Sequence, residues 1–216
     1  ARRADATDGE PRVAGVGVHG TKGVKAGAVV DLDALERSIR LAVEQAERAA
    51  ETRITEVVLG VSGPDLRSDV VRAKVALGGR EILPQHVKDA RIAALQGFQG
   101  QGREILHSAP LGFTVDGTGG IRDPRGMFAE TLTASFLVVS APTAGLRNIV
   151  QCVSRAHLAP SAILAAPFAA GLAVLVEDEA EQGAMVIDFG AGMTSAAAFM
   201  DGGLIHVETL PMGGSR

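Results

Sequence analysis

The chain has 216 residues, a formal net charge of −4, 46% hydrophobic residues and only 3% aromatic residues. This length predicts one or two domains with enough apolar material for a sizeable core. The negative charge and the scarcity of aromatic rings argue against a nucleic-acid partner. Cys152 is the only cysteine, which excludes an intrachain disulfide and a cysteine metal site and favours a reducing compartment.

The first residues give weak signals. Residues 1–12 are polar and are expected to be disordered or to form one side of an excised loop. Residues 12–18 alternate as a short strand that glycines weaken. No run of about 18 apolar residues occurs, so no membrane-spanning helix is expected.

A β-α-β unit, typical of α/β layered domains, is predicted next. Residues 31–50 carry apolar side chains at three- and four-residue spacing, which predicts an amphipathic helix with Asp31 or Asp33 as its cap. Residues 55–61 are apolar enough for a buried strand, which Ser62-Gly63-Pro64 ends.

Residues 64–140 differ in composition and predict a small inserted α+β module. Residues 69–77 and 131–139 alternate as strands. Residues 84–98 begin with proline and predict a helix, and residues 103–115 are mostly extended.

The chain then returns to a helical pattern. Residues 142–157 and 167–176 predict helices, with a short strand over 161–164 between them. Cys152 falls within the first of these helices and is expected to be an inert buried thiol. The acidic run 177–181 predicts a solvated loop.

The most informative stretch is residues 184–200. An apolar run reaches Asp188, breaks at Gly190-Ala191-Gly192 and resumes after Thr194. This pattern predicts a β-hairpin with two buried strands and a turn of small residues. Such a turn lets backbone N–H groups approach a phosphate closely. Because a buried Asp188 would need a partner, a Mg²⁺ ion on the phosphates would suit it.

A plain tight turn with a capping aspartate remains the alternative, since short glycine motifs often match by chance. The following residues favour phosphate binding. A turn at Asp201-Gly202-Gly203 leads into a strand over 204–210 and then into Pro211-Met212-Gly213-Gly214. This order resembles the second phosphate motif, Asp-x-Gly-x-Gly-x-Thr, of the superfamily of actin, sugar kinases and DnaK-type chaperones.

The position of the insert makes the resemblance more specific. The chain is predicted to have a β-α-β unit interrupted by an α+β module, followed by helices and then by the hairpin. This order of elements is similar to that of the FtsA family of bacterial cell-division proteins. The stretches that carry this resemblance are Gly15-Val16-Gly17, Val29-Val30-Asp31-Leu32, Ala42-Val43-Glu44-Gln45-Ala46-Glu47, Leu59-Gly60-Val61-Ser62-Gly63, Arg147-Asn148-Ile149-Val150-Gln151-Cys152-Val153, Val186-Ile187-Asp188-Phe189-Gly190-Ala191-Gly192-Met193-Thr194 and Pro211-Met212-Gly213-Gly214.

The resemblance implies an α/β fold: an actin-like (ribonuclease H-like) domain with an inserted small α+β subdomain, 1C, of the SHS2 type. It places the first part of subdomain 1A at residues 1–63 and the 1C insert at 64–140. Subdomain 1A would return at 141–180, and 181–216 would begin subdomain 2A with the phosphate hairpin.

The resemblance also implies ATP and Mg²⁺ as cofactors. Asp188 would face the metal through water, and the remaining implied site residues would cradle phosphates or form the next nucleotide-side turn. They are Gly190, Ala191, Gly192, Met193, Thr194, Gly213 and Gly214.

The family's partners follow as expectations. The protein would polymerise on the cytoplasmic face of the inner membrane at the division site, held there by a C-terminal amphipathic helix outside this sequence. It would tether the FtsZ ring through regions that also lie outside it, and it would recruit later divisome proteins through 1C.

Three departures and two alternatives qualify this interpretation. Ala191 stands where the family usually has glycine, which makes tight phosphate contact there less secure, and Ser195 stands where it often has aspartate. Ala166 occupies the place where DnaK-type chaperones use a glutamate to position water, so ATP binding with at most weak hydrolysis is expected, with no catalytic residue assigned. Another actin-like scaffold, of the type IV pilus assembly kind, and a superfamily sugar or acetate kinase are the alternatives.

Overall fold

A computed structural model describes residues 2–3 and 12–214 of the chain. The described helices are α1 (Leu32–Ala50), α2 (Pro84–Gln96), α3 (Thr143–Arg155), α4 (Ala166–Val174) and α5 (Glu177–Gln182). The described strands are β1 (Arg2–Arg3), β2 (Arg12–Val13), β3 (Val24–Lys25), β4 (Ala28–Val29), β5 (Glu56–Val61), β6 (Arg67–Glu81), β7 (Arg103–Val115), β8 (Thr118–Ile121), β9 (Phe128–Pro142), β10 (Ala159–Ala165), β11 (Ala184–Phe189), β12 (Thr194–Met200) and β13 (Gly203–Leu210).

Helix α1 forms as predicted. The Asp31 carboxylate accepts hydrogen bonds from the backbone N–H groups of Asp33 and Ala34, both at 3.0 Å, and so satisfies two donors of the first turn. The helix ends at Glu51, whose left-handed φ of 50° stops the helical path. Its small residues lie close to the segment that contains Gly15 and Gly17. A Cβ at Gly17 would lie 1.8 Å from the Ala42 carbonyl oxygen.

The predicted strand over residues 12–18 is wrong beyond Val13. Strand β2 covers only Arg12–Val13, and residues 14–20 belong to none of the described strands. Gly15 and Gly17 serve close contact with α1, because their Cβ positions are filled by helix backbone. Most of the polar start, residues 1 and 4–11, lies outside the described residues.

The predicted β-α-β unit is present only in its helix, α1, and its second strand, β5, because the first strand does not continue beyond Val13. Strands β5 and β10 pair in parallel, and α3 packs beside α1 and β10. The Cys152 side chain is fully buried in α3, and burial raises the pKa of its thiol, as expected for an inert cysteine. No helix in the described part of the chain combines the length and apolar character that crossing a membrane requires.

The insert is a four-stranded antiparallel sheet with one helix. Strands β6, β9, β7 and β8 lie side by side, and α2 packs on β6 and β9. The buried residues between helix and sheet form a core of their own, which includes Leu77, Ile82, Ala90 and Leu132. The predicted strands 69–77 and 131–139 are longer in the structure, because they pair with each other along most of β6.

The hairpin strands extend this sheet to seven. The order is β11-β12-β13-β6-β9-β7-β8, and β13 joins β6 at the single register pair Glu208 and Arg67. A second core, which includes Val61, Leu66, Val139 and Phe199, lies where the hairpin, the insert and the β5–β10 pair meet. The subdomain boundaries given above stay a prediction.

The predicted acidic loop is wrong, because residues Glu177–Gln182 form the short helix α5. Its first turn holds three carboxylates, which the positive end of the helix dipole favours. The Glu179 carboxylate also accepts the Val176 N–H at 3.1 Å. The side chains of the acidic run remain solvated.

Candidate phosphate-binding hairpin

The predicted hairpin forms with the predicted bounds. Strands β11 and β12 pair antiparallel, with Asp188 opposite Ser195 and Phe189 opposite Thr194. The Gly190 N–H donates to the Met193 carbonyl at 2.9 Å, which leaves Ala191 and Gly192 at the tip. The tip is therefore as short as the small-residue run suggested.

The prediction that both strands are buried is wrong for β11. Met185 is 60% exposed and Phe189 is 78% exposed, and the Asp188 side chain is also exposed. Among the described strands, β11 is the last in the sheet and has a neighbour on one edge only. Strand β12 lies between two strands and alternates buried and half-buried residues. Asp188 accordingly needs no buried counter-charge to be tolerated.

The tip presents backbone donors beside this carboxylate. Among the residues that the structure describes, the N–H groups of Ala191, Gly192 and Met193 have no hydrogen-bond acceptor. They follow Asp188 closely in the chain, so donors and one acidic group occupy the same end of the hairpin. Consecutive free N–H groups of this kind suit an anion.

The other predicted site residues have internal partners. The Gly214 N–H donates to the Gly190 carbonyl at 3.0 Å, and the Thr194 hydroxyl donates to the Met212 carbonyl at 2.8 Å. A Cβ at Gly213 would lie 2.4 Å from the Ala191 carbonyl oxygen. Gly213 and Gly214 thus support the back of the tip by close backbone packing.

Glycine is not required at the tip for its backbone angles. None of the residues 190–193 has a positive φ. Close approach explains a small residue at Gly190, where a Cβ would lie 3.0 Å from the Met193 carbonyl oxygen. A Cβ at Gly192 would lie 3.6 Å from the Ala26 nitrogen, which is an ordinary contact distance. Ala191 is exposed and fits the turn without strain.

The tip meets the turn between β3 and β4, and that turn lies close to the loop after β5. Met193 is only 8% exposed, and a Cβ at Gly27 would lie 3.1 Å from its Sδ atom and 2.8 Å from the Ser62 carbonyl oxygen. Ser62, Gly63 and Gly27 also line a cavity of about 600 Å³ that is otherwise mainly apolar. The Thr209 hydroxyl donates to the Gly63 carbonyl at 3.0 Å and holds β13 to this junction.

The sequence did not predict that Ser62 lies near the candidate site. Its Oγ is buried and has no hydrogen-bond partner in the described part of the chain. A lone serine after a strand carries no distinctive pattern, and its closeness to Gly27 arises only in the folded chain. The hydroxyl is chemically able to hydrogen-bond a ligand in the cavity that it lines.

The donor set fits a phosphate with a hydrated Mg²⁺ ion. Three N–H groups can donate to phosphate oxygens, and the exposed Asp188 carboxylate can accept from metal-bound water. Carboxylate and phosphate oxygens with water are the ligands that Mg²⁺ prefers. The assignment of the individual site residues stays a prediction.

Comparison with known proteins identifies the family. Residues 63–140 match the family model described as the SHS2 domain inserted in FtsA. The cell division protein FtsA of Agrobacterium fabrum is 42% identical over 202 residues, which make up 94% of this chain and 46% of that protein. FtsA of Pseudomonas aeruginosa is 32% identical over 209 residues, or 97% of this chain and 50% of that protein. The chain belongs to the FtsA family.

This membership confirms the predicted resemblance. It spans about half the length of the FtsA relatives that it matches. A solved PilM-PilN type IV pilus biogenesis complex contains a chain that is similar with a TM-score of 0.58 at 20% identity, over 89% of this chain and 52% of that one. At that identity the likeness shows the fold alone. Together with the SHS2 match it confirms the predicted actin-like α/β fold with an insert.

Proposed function

We propose that this FtsA-family protein binds ATP with Mg²⁺ and acts as a cell-division scaffold with at most weak ATPase activity. The observation that carries the proposal is the tip of the β11–β12 hairpin, where three backbone N–H groups without acceptors follow Asp188. A phosphate chain is an anion that can accept from all three donors, and its metal ion can be held through water by the carboxylate.

The residues of the hairpin would either bind phosphate or hold the tip in its conformation. Ala191, Gly192 and Met193 would bind phosphate oxygens, while Gly190 and Thr194 would keep the tip in shape through their bonds to Met193 and Met212. Gly213 and Gly214 would support the tip from behind. Hydrogen bonds between backbone N–H groups and an ionised phosphate are stronger than those between neutral groups.

The cellular role is proposed from family membership. The protein would form actin-like filaments and tether the FtsZ ring to the cytoplasmic face of the inner membrane. It would recruit later divisome proteins through the insert at residues 63–140, which matches the SHS2 domain inserted in FtsA. FtsZ binding and the membrane-anchoring helix would belong to parts of the protein beyond this chain.

The first experiment measures ATP affinity, in the presence of Mg²⁺, on the full-length protein and on an Asp188→Ala variant. The matched control is Asp178→Ala, which removes an exposed carboxylate from α5. We expect micromolar binding by the wild type and the control. We expect binding about tenfold to a hundredfold weaker in Asp188→Ala, because a hydrogen bond to a charged group contributes about 1.5–3 kcal/mol.

The outcomes separate the proposal from its alternatives. If the wild type does not bind ATP, or if both variants weaken binding equally, the hairpin is only a tight turn. Fast phosphate turnover would favour a superfamily kinase over a scaffold. Binding of the full-length protein to the C-terminal peptide of FtsZ separates the cell-division role from that of a pilus-type scaffold.

A further inference from the structure

His107 lies on β7 of the insert and contacts the start of helix α4. Its Nε2 atom accepts the backbone N–H of Ala165 at 2.8 Å. Ala165 is the residue that precedes the first turn of α4, and it is fully buried. A side chain of the insert therefore satisfies a donor at the end of a helix that belongs to another part of the fold.

The contact continues from α4 to the phosphate hairpin. The His107 ring meets Phe168 edge-on, with ring centroids 4.8 Å apart, and Phe168 stacks on Phe199 of β12 at 6.2 Å. A Cβ at Gly171 would lie 2.2 Å from Cζ of Phe199, so helix and strand are in close contact. Helix α4 also contacts β11 and β13 and so lies across all three strands of the hairpin region.

We propose that His107 is a positioning residue through which the insert fixes α4 and, through α4, the phosphate hairpin. This proposal rests on the proposed function, because it assigns a regulation to the same site. The contacts run from β7 to Ala165 and Phe168 and end on Phe199 of β12, the strand that begins at Thr194 beside the tip. A partner that shifts β7 would shift the hairpin, and by reciprocity a bound phosphate would stabilise the insert in its present position.

The contact requires a neutral imidazole. Nε2 can accept a hydrogen bond only when the ring proton is on Nδ1 and the ring is uncharged. Burial lowers the pKa of His107, and a charged ring at the positive end of α4 would also be unfavourable. The geometry and the environment thus select the same neutral state.

Few charged groups lie on the elements around this histidine. Strand β10 and helix α4 contain no titratable residue, and β9 contains only Glu130, near its far end. Strand β7 itself carries Arg103 and Glu104. Strand β13 carries His206 and Glu208, whose side chains lie 3.5 Å apart.

The test uses full-length protein and two substitutions of the same residue. His107→Leu removes the acceptor, whereas His107→Gln keeps an acceptor that does not titrate. His19→Gln, at an exposed position, is the matched control. The measurement is hydrogen-exchange protection of the β11 and β12 backbone at pH 7 and pH 5, followed by ATP affinity in Mg²⁺.

We expect His107→Leu to lower the protection of the hairpin strands about fivefold at pH 7, the effect of one net hydrogen bond. His107→Gln and the control should keep it. Between pH 7 and pH 5 the wild type should lose protection and His107→Gln should not. ATP affinity should fall by a similar factor in His107→Leu alone.

Unchanged protection of β11 and β12 in His107→Leu overturns the proposal, as does an equal pH response of wild type and His107→Gln. Altered protection with unaltered ATP affinity overturns the link to the nucleotide site. A wild type that binds no ATP overturns the proposed function instead, and the exchange result then still decides the role of His107.

Discussion

Replacing Gly171 by alanine should destabilise the protein, although alanine is the better helix former. The new Cβ would lie 2.2 Å from Cζ and 2.3 Å from Cε2 of Phe199. The Phe199 ring is only 4% exposed and stacks on Phe168, so it has little room to move. Overpacking of this kind costs about 1–3 kcal/mol, and helix propensity returns at most about 1 kcal/mol. We expect a net loss of about 1–2 kcal/mol.

Gly145→Ala is the matched control for this substitution. Gly145 is also a helical glycine, in α3, but its Cβ would meet nothing within 4 Å. There the same change should stabilise the protein by about 0.5–1 kcal/mol. The two variants should therefore shift the free energy of unfolding in opposite directions.

Urea unfolding, followed by far-ultraviolet circular dichroism, measures both shifts from the transition midpoints. A Gly171→Ala/Phe199→Leu double variant adds a second check. Because the shorter side chain makes room for the methyl group, its loss of stability should be smaller than the sum of the two single losses. If Gly171→Ala is as stable as Gly145→Ala, the close contact between α4 and β12 is refuted.

Two smaller predictions concern α1 and α3. Asp31→Ala should lower the free energy of unfolding, measured in urea, by about 1 kcal/mol, because two N–H groups of the first turn of α1 lose their acceptor. Asp31→Asn should lower it much less. Equal losses in the two variants would show that the charge of Asp31 matters and not its capping. The Cys152 thiol should react with a thiol reagent only as fast as the protein opens, since its side chain is fully buried and burial raises its pKa. A reaction rate that does not change with urea concentration would contradict this prediction.

The local parts of the fold followed from local patterns. The periodicity of α1, the capping by Asp31 and the glycine tip between β11 and β12 each depend on residues close together in the chain, and each was predicted. The charge of the acidic run 177–181 predicts a solvated loop, which is wrong. The run is helical since its carboxylates suit the start of a helix and Glu179 caps it.

The other errors and omissions come from long-range contacts. The exposure of Phe189 depends on β11 being the edge of a seven-stranded sheet, which its own apolar sequence does not reveal. The hydrogen bond between His107 and Ala165 joins residues 58 positions apart. No spacing pattern marks such a pair, so a single sequence gives no signal for it.

The residues at the start of α4 are relevant to whether the protein hydrolyses ATP or only binds it. Ala166 opens the helix and has no group that could take a proton from water. His107 is next to it, but its Nε2 atom already accepts the Ala165 N–H. An imidazole engaged in this way is not free to act as a base without breaking the contact that holds the helix. Ser62, whose Oγ has no partner in the described part of the chain, can hydrogen-bond a ligand but is itself a poor base. Ala166, His107 and Ser62 therefore supply no general base, which supports the proposal of an ATP-binding scaffold with at most weak ATPase activity.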